Sequence, residues 1–416
     1  MSSAKRHIAS ALLIALLASG SAAAIDTDSG IFDPEFKSLR ISNSEGLLAQ
    51  PILQLNGNNY LTVEFDDLAE SRRYLRYQLI HCNSDWTPSA LVETEYLDGF
   101  NQADVTDYAY SEQVFTHYVN YRITVPSPDL APRLSGNYLL QVYDSDEPDR
   151  ILLQTRLMVS EETASPAVRI SSRTDVDYNS RHQQLTVTAD LEGARVQDPF
   201  NDLRLVILQN GAPGQTHTLE KPMRTSMNRA VWEHQHPLIF PAGNEYRRME
   251  ITTVHFPLRG VDHYEFIEPF YHALLRTDEK RSGGRYEYDQ DQNGKFFINE
   301  INSTDPSIQA DYVITHFELQ SVELAEPLFL EGDLTGRRLD MDSRMAYDAD
   351  RGVYYKTLLL KQGLYNYRYV TADGSPAPIE GNYYETVNEY TILLYHRAPG
   401  ARYDRLIGTA VVYSGQ

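Results

Sequence analysis

Apolar positions along this chain recur mostly with a period of two, in short runs separated by turn residues. Leu75, Tyr77 and Leu79 alternate with Arg76, Gln78 and Ile80, which predicts a strand with one buried face. Ser135-Gly136-Asn137 reads as a turn feeding a strand over 138–143. Residues 185–189 and 203–208 predict two more strands, with Asn210-Gly211 as the turn that follows. The stretch 286–298 is predicted as two strands joined at Asn293-Gly294, a dipeptide suited to hairpin turns. Later come apolar runs at 328–330, 353–360, 364–370 and 390–395, punctuated by Gly332 and Asp373-Gly374. The best helix candidate is 268–280, with Pro269 near its start and weak periodicity. No repeat of 20–50 residues marks a solenoid or propeller. The pattern predicts an all-β, multidomain chain of β-sandwich domains, immunoglobulin-like or E-set-like.

The N-terminus follows another logic. Lys5 and Arg6 precede an apolar run at 8–17, and Ala22-Ala23-Ala24 supplies small residues for a cleavage site, the layout of a signal peptide spanning 1–24. A membrane anchor would need about 20 apolar residues, more than this run provides. The expected division of the remainder is 25–162, 163–310 and 311–416, with polar residues 161–166 as the first linker.

Composition narrows the function classes. The 416 residues carry 37 Lys+Arg against 58 Asp+Glu, a formal charge of −21. Loss of Lys5 and Arg6 with the leader takes it to −23. Nucleic-acid binding needs a basic face, and this balance argues against it. One cysteine, Cys82, excludes a disulfide framework and a four-cysteine zinc site. The 29 tyrosines favour half-buried pleated surfaces.

Candidate chemistry is sparse. There is no G-x-S-x-G elbow, H-E-x-x-H helix, phosphate-binding glycine loop or G-x-G-x-x-G turn. Neither catalytic residues nor a cofactor site are expected. Asp289, Asp291, Asn293, Gly294 and Glu300 satisfy a calcium-loop pattern, but strand-like flanks would carry Glu300 up to ~20 Å from Gly294. An acidic hairpin tip is the expectation there. His234 and His236 share a face if extended, yet lack a third metal ligand nearby. Tyr354-Tyr355, Tyr365, Tyr367 and Tyr369 suit either a sugar-binding platform or an inter-sheet core. A carbohydrate-binding module is therefore the alternative function, and packing the expected role of those rings.

The most distinctive stretch is His81-Cys82-Asn83-Ser84-Asp85-Trp86-Thr87-Pro88-Ser89, followed by Glu95-Tyr96-Leu97-Asp98-Gly99-Phe100 and Ser135-Gly136-Asn137-Tyr138. It resembles the N-terminal domain of the plug protein family of the type IX secretion system. The likeness continues through Asp291-Gln292-Asn293-Gly294, Ala310-Asp311-Tyr312-Val313, residues 380–386 and Tyr403-Asp404-Arg405-Leu406-Ile407-Gly408. The resemblance implies a periplasmic protein, without membrane insertion, that docks on the inner mouth of a large outer-membrane translocon β-barrel and closes its pore. Read from the residues, the motif is structural: Trp86 is expected to anchor a core, and His81 to bond Asp85 across a turn. Gly99 and Gly136 are expected to serve turn geometry.

Overall fold

The computed structural model describes residues 26–46 and 48–415; the expected leader at 1–24 lies outside the described residues. Among the described residues strands dominate, and the three α-helices are single turns of four residues. No helix among the described residues is long and apolar enough to cross a membrane.

The first sandwich is built from residues 30–160. One sheet runs Gly30–Ile31, Glu147–Ser160, Gly136–Asp144, Leu75–Cys82, Ala103–Asp104, with Ile52–Gln54 parallel to the end of Glu147–Ser160. The facing sheet runs Phe36–Asn43, Leu61–Asp67, Val119–Val125, Asp107–Tyr110. The period-two reading explains the interior: Leu75, Tyr77 and Leu79 meet Leu61, Val63 and Phe65 in one core, while Arg76 and Gln78 face outward.

The rest of the chain does not divide at 310. A second sandwich combines Ser165–Ser171, His182–Asp190, Arg229–Trp232, Arg224–Ser226 and Ile239–Pro241 with a sheet of Thr216–Leu219, Leu203–Gln209, Glu389–His396 and Arg405–Tyr413. Its core joins Leu185, Val187, Trp232 and Phe240 to Tyr390, Ile392, Leu394 and Ile407. The last two strands therefore belong to the middle domain. Between Ile239–Pro241 and Glu389–His396 lies a complete third sandwich, with strands from Arg247–Glu250 to Gly363–Thr371. Position 310 falls inside it, just before Tyr312–Gln320. The expected boundaries 163–310 and 311–416 give way to a domain inserted within a domain. The cause is a long-range pairing: Leu203–Gln209 lies antiparallel to Glu389–His396 over seven residue pairs, which buries both as central strands.

Two local readings also change. Residues 268–280 form no helix, because Phe270–Leu275 is a strand between Val261–Ile267 and the parallel Tyr312–Gln320. Residues 286–298 form no hairpin. Asn293 and Gly294 do take positive φ, 53° and 85°, but among the described residues of that stretch only Phe296–Ile298 pairs, and its partner is Gly363–Thr371. The upstream half is held by side chains from other segments instead. Asp289 bonds Arg248 (3.1 Å) and Arg259, and the Tyr286 hydroxyl donates to Glu245.

Candidate functional site

The family motif lies at the end of the strand Leu75–Cys82 and in the turn that follows it. His81, the penultimate residue of that strand, is buried. Its Nδ1 bonds the Ser89 hydroxyl (2.9 Å) and its Nε2 bonds the Ser135 carbonyl (3.1 Å). Burial lowers the imidazole's affinity for a proton, although the carbonyl contact opposes that shift. The ring meets Tyr96, Tyr138 and Tyr403 at centroid distances of 5.5, 5.0 and 5.2 Å. Gly136 makes room for it: its φ is +137°, and a Cβ there would stand 2.7 Å from His81 Nε2. Gly99 is under a tighter constraint, since a Cβ would come within 1.9 Å of the Asp129 carbonyl oxygen.

Asp85 does not reach His81. Its carboxylate accepts from the Thr87 amide (3.0 Å) and hydroxyl (2.6 Å), closing the turn locally. Cys82 is buried, and burial pushes its thiol up to about 12. Tyr138 donates to the Leu134 carbonyl (2.8 Å), and Tyr96 to the Leu79 carbonyl (3.2 Å). Phe100 departs from the structural role expected of the motif, for its side chain is 89% exposed.

The motif's turn faces the second sandwich. Ser84 donates both its amide (2.9 Å) and its hydroxyl (2.7 Å) to Asp404 Oδ2, 320 residues away. The Tyr395 hydroxyl donates to Asn137 Oδ1 (2.6 Å), while Asn137 Nδ2 donates to the Asn83 carbonyl (2.9 Å). Glu161 accepts from Ser135 (2.7 Å) and from Arg405 Nε (2.9 Å). Trp86 is half-buried rather than a core anchor. Arg156 lies 4.3 Å above its ring, and it packs on a small cluster of Met158, Val206, Leu393, Tyr395 and Leu406 drawn from both sandwiches. The HCNSDWTPS stretch and the Tyr403–Gly408 stretch, at opposite ends of the sequence, thus form the two sides of one seam.

A second seam joins the first and the inserted sandwich. Lys361 Nζ lies 2.6 Å from Asp66 Oδ2, both side chains fully buried. The same oxygen accepts from the Tyr312 hydroxyl (2.7 Å), and Oδ1 accepts from Asn120 (2.8 Å). Lys361 also donates to the Ser307 carbonyl (2.7 Å) and sits 4.0 Å over the Tyr118 ring. Burial pulls the ammonium down to about 8 against the opposing pull of Asp66. A buried charge pair costs desolvation on both sides and contributes geometric selectivity rather than raw stability. This one fixes how two domains sit.

The remaining candidate residues are engaged elsewhere. Tyr365, Tyr367 and Tyr369 are buried in the inserted core, and Asp278 accepts the hydroxyls of Tyr367 (2.9 Å) and Tyr369 (2.7 Å). They present no face to a sugar. His234 pairs with Asp175 (3.0 Å), and His236 begins a 3₁₀ turn. Asp291 accepts from the amides of Asn293 (3.1 Å) and Tyr246, and Glu300 turns back to Asn302. No cluster among the described residues is arranged to hold a metal ion. Buried acids such as Glu331 and Glu380 are each flanked by two arginines, Arg337 with Arg368 and Arg247 with Arg281.

Fold and site together define an all-β body whose distinctive residues bridge its domains through buried polar contacts. Comparison with known proteins adds the family. A model of the type 9 secretion system plug protein, first domain, matches residues 36–161. A crystal structure of a hypothetical protein from Parabacteroides merdae superposes with a TM-score of 0.92 at 37% identity, covering 94% of this chain and all of that one. A serine-rich repeat adhesion glycoprotein from Streptococcus agalactiae aligns over 94% of this chain and 99% of its own at 9% identity, but its TM-score of 0.12 carries no structural likeness. No curated protein matches. The chain belongs to the type 9 secretion system plug family.

Proposed function

We propose that this chain is a periplasmic plug of the type IX secretion system, which docks on the periplasmic mouth of the outer-membrane translocon barrel and closes its pore while no cargo passes. Family membership supports the reading, and one observation carries it: both seams of the first sandwich are closed by buried polar contacts, Ser84 to Asp404 and Asp66 to Lys361. A stopper for a wide pore must resist bending. Domains joined through small wet contacts move relative to one another by default, whereas buried, fully bonded pairs remove that freedom. A plug must also leave its seat. Release is compatible with an interface of moderate area and polar rim, unlike the large apolar interfaces of obligate complexes.

Deleting the gene should raise envelope permeability through the barrel, and gentle detergent extraction of the barrel should bring this chain with it. If tagged barrel repeatedly purifies without this chain, and deletion leaves permeability unchanged, the reading fails.

A further inference from the structure

Three aromatic rings from two domains share one exposed patch. Phe115 belongs to the segment between Asp107–Tyr110 and Val119–Val125 of the first sandwich; Phe266 and Tyr271 lie on paired strands of the inserted one. Their centroids are 6.1 Å (Phe115–Phe266), 5.8 Å (Phe115–Tyr271) and 4.9 Å (Phe266–Tyr271) apart. Phe115 is 70% exposed and Phe266 53%, with Ile267 exposed beside them. A contiguous aromatic surface left in water marks an interaction site.

The patch is also held in shape. Asp311 of the inserted domain accepts the Phe115 amide (2.7 Å) and the Thr116 amide (3.0 Å), so the loop is pinned across the seam. Phe266 stands directly opposite Tyr271 on the hairpin ladder. Aromatic anchors already in place avoid the entropy cost of ordering them on binding, and such residues dominate interface energetics.

The charge around the patch selects its occupant. Segments 107–118 and 261–275 contain Asp107, Glu112, Asp262, Glu265 and Glu268, all exposed, and no lysine or arginine. Arg122, which stands opposite Asp107 in the ladder, is bonded to Glu64 (2.8 Å), and Lys361 behind Tyr118 is bonded to Asp66 (2.6 Å). A second copy of the chain would bring the same carboxylates against these. An anionic lipid surface would be repelled in the same way.

We propose that the Phe115–Phe266–Tyr271 patch seats in an apolar socket rimmed by Lys and Arg on a protein partner. Resting on the function proposed above, that socket lies on the periplasmic lip of the translocon barrel. The test uses the full mature chain and the detergent-solubilised type IX translocon barrel of the same organism, immobilised for binding measurements. Phe115→Ser/Phe266→Ser should weaken binding at least about 30-fold, the scale of one or two hot-spot residues. Glu265→Lys/Glu268→Lys should weaken it too, and wild-type affinity should fall between about 50 and 300 mM salt. Since these side chains are exposed, circular dichroism and melting should match wild type. Binding of the aromatic double variant within threefold of wild type would overturn the patch and leave the plug reading standing. Absence of wild-type binding to the barrel would overturn both. Patch-dependent self-association in sedimentation, or patch-dependent binding to anionic vesicles, would overturn the choice of occupant.

Discussion

Replacing Lys361 with methionine tests whether the seam between the first and inserted sandwiches is held as the geometry implies. The substitution keeps most of the side-chain volume and removes a charge that lies 2.6 Å from Asp66 with both groups shielded from water. Asp66 would retain its bonds from Tyr312 and Asn120 but lose its counter-ion. Leaving one member of a buried pair uncompensated costs about 3–5 kcal/mol. At 1.4 kcal/mol per decade, seam opening should rise roughly 100-fold or more. Hydrogen exchange reads this directly. Amides of 112–118 and 305–312, which include the Glu112-to-Ile308 bond across the seam, should exchange at least that much faster. Amides in the middle sandwich should change little. Adding Asp66→Asn to Lys361→Met removes the stranded charge while keeping an acceptor, so part of the loss should return. An increase below about fivefold in the single variant, equivalent to roughly 1 kcal/mol, would refute the idea that this pair governs the seam. So would a double variant that loses as much as the sum of the two singles.

Gly136→Ala should lower stability by about 2–3 kcal/mol, since its Cβ would collide with His81 at a φ of +137°, whereas Gly211→Ala at φ +66° with open space should cost about 1; thermal melts compare them. Cys82 should resist thiol reagents in the native protein at pH 8 and react fully in denaturant, because burial holds its pKa near 12. Glu245 gives a pH signature. Burial raises its carboxyl to about 7, against bonds from Tyr286 and Val387 that pull it down. The folded chain then holds a proton that the unfolded chain releases from about pH 4.5, so this group's contribution to stability is full at low pH and declines as pH rises through 7. Glu245→Gln should flatten that decline and gain about 1–3 kcal/mol at pH 8 over pH 5, measured as the shift in urea midpoint.

The period-two pattern carried the fold class well, because inward positions such as Leu75, Tyr77 and Leu79 are dictated by the pleat itself. The domain boundaries were not readable in the same way. Nothing local in 389–396 distinguishes a strand that pairs with its sequence neighbours from one that returns to residues 203–209. The same limit applies to the site. The HCNSDWTPS stretch was legible as unusual, but its role depends on Asp404, Tyr395 and Arg405, more than 240 residues downstream. The one signal that pointed there was the joint resemblance at both ends of the chain. His81 and Asp85 looked like partners through proximity in sequence, yet Ser89 and the Ser135 carbonyl hold His81 while Thr87 satisfies Asp85.

Insertion of one sandwich inside another sets an order of events at birth. The strand Leu203–Gln209 emerges long before its neighbour Glu389–His396, so the middle sheet stays open until about 180 residues later, when that partner has been made. The first and inserted units have all their strands earlier and can form while the final segment is still being made. A nonsense codon near residue 385 would therefore spare the portion closest to it and unmake the centre. Clipping the last thirty residues should likewise release not a tail but the joint between Ser84 and Asp404, turning a stiff body into separable beads.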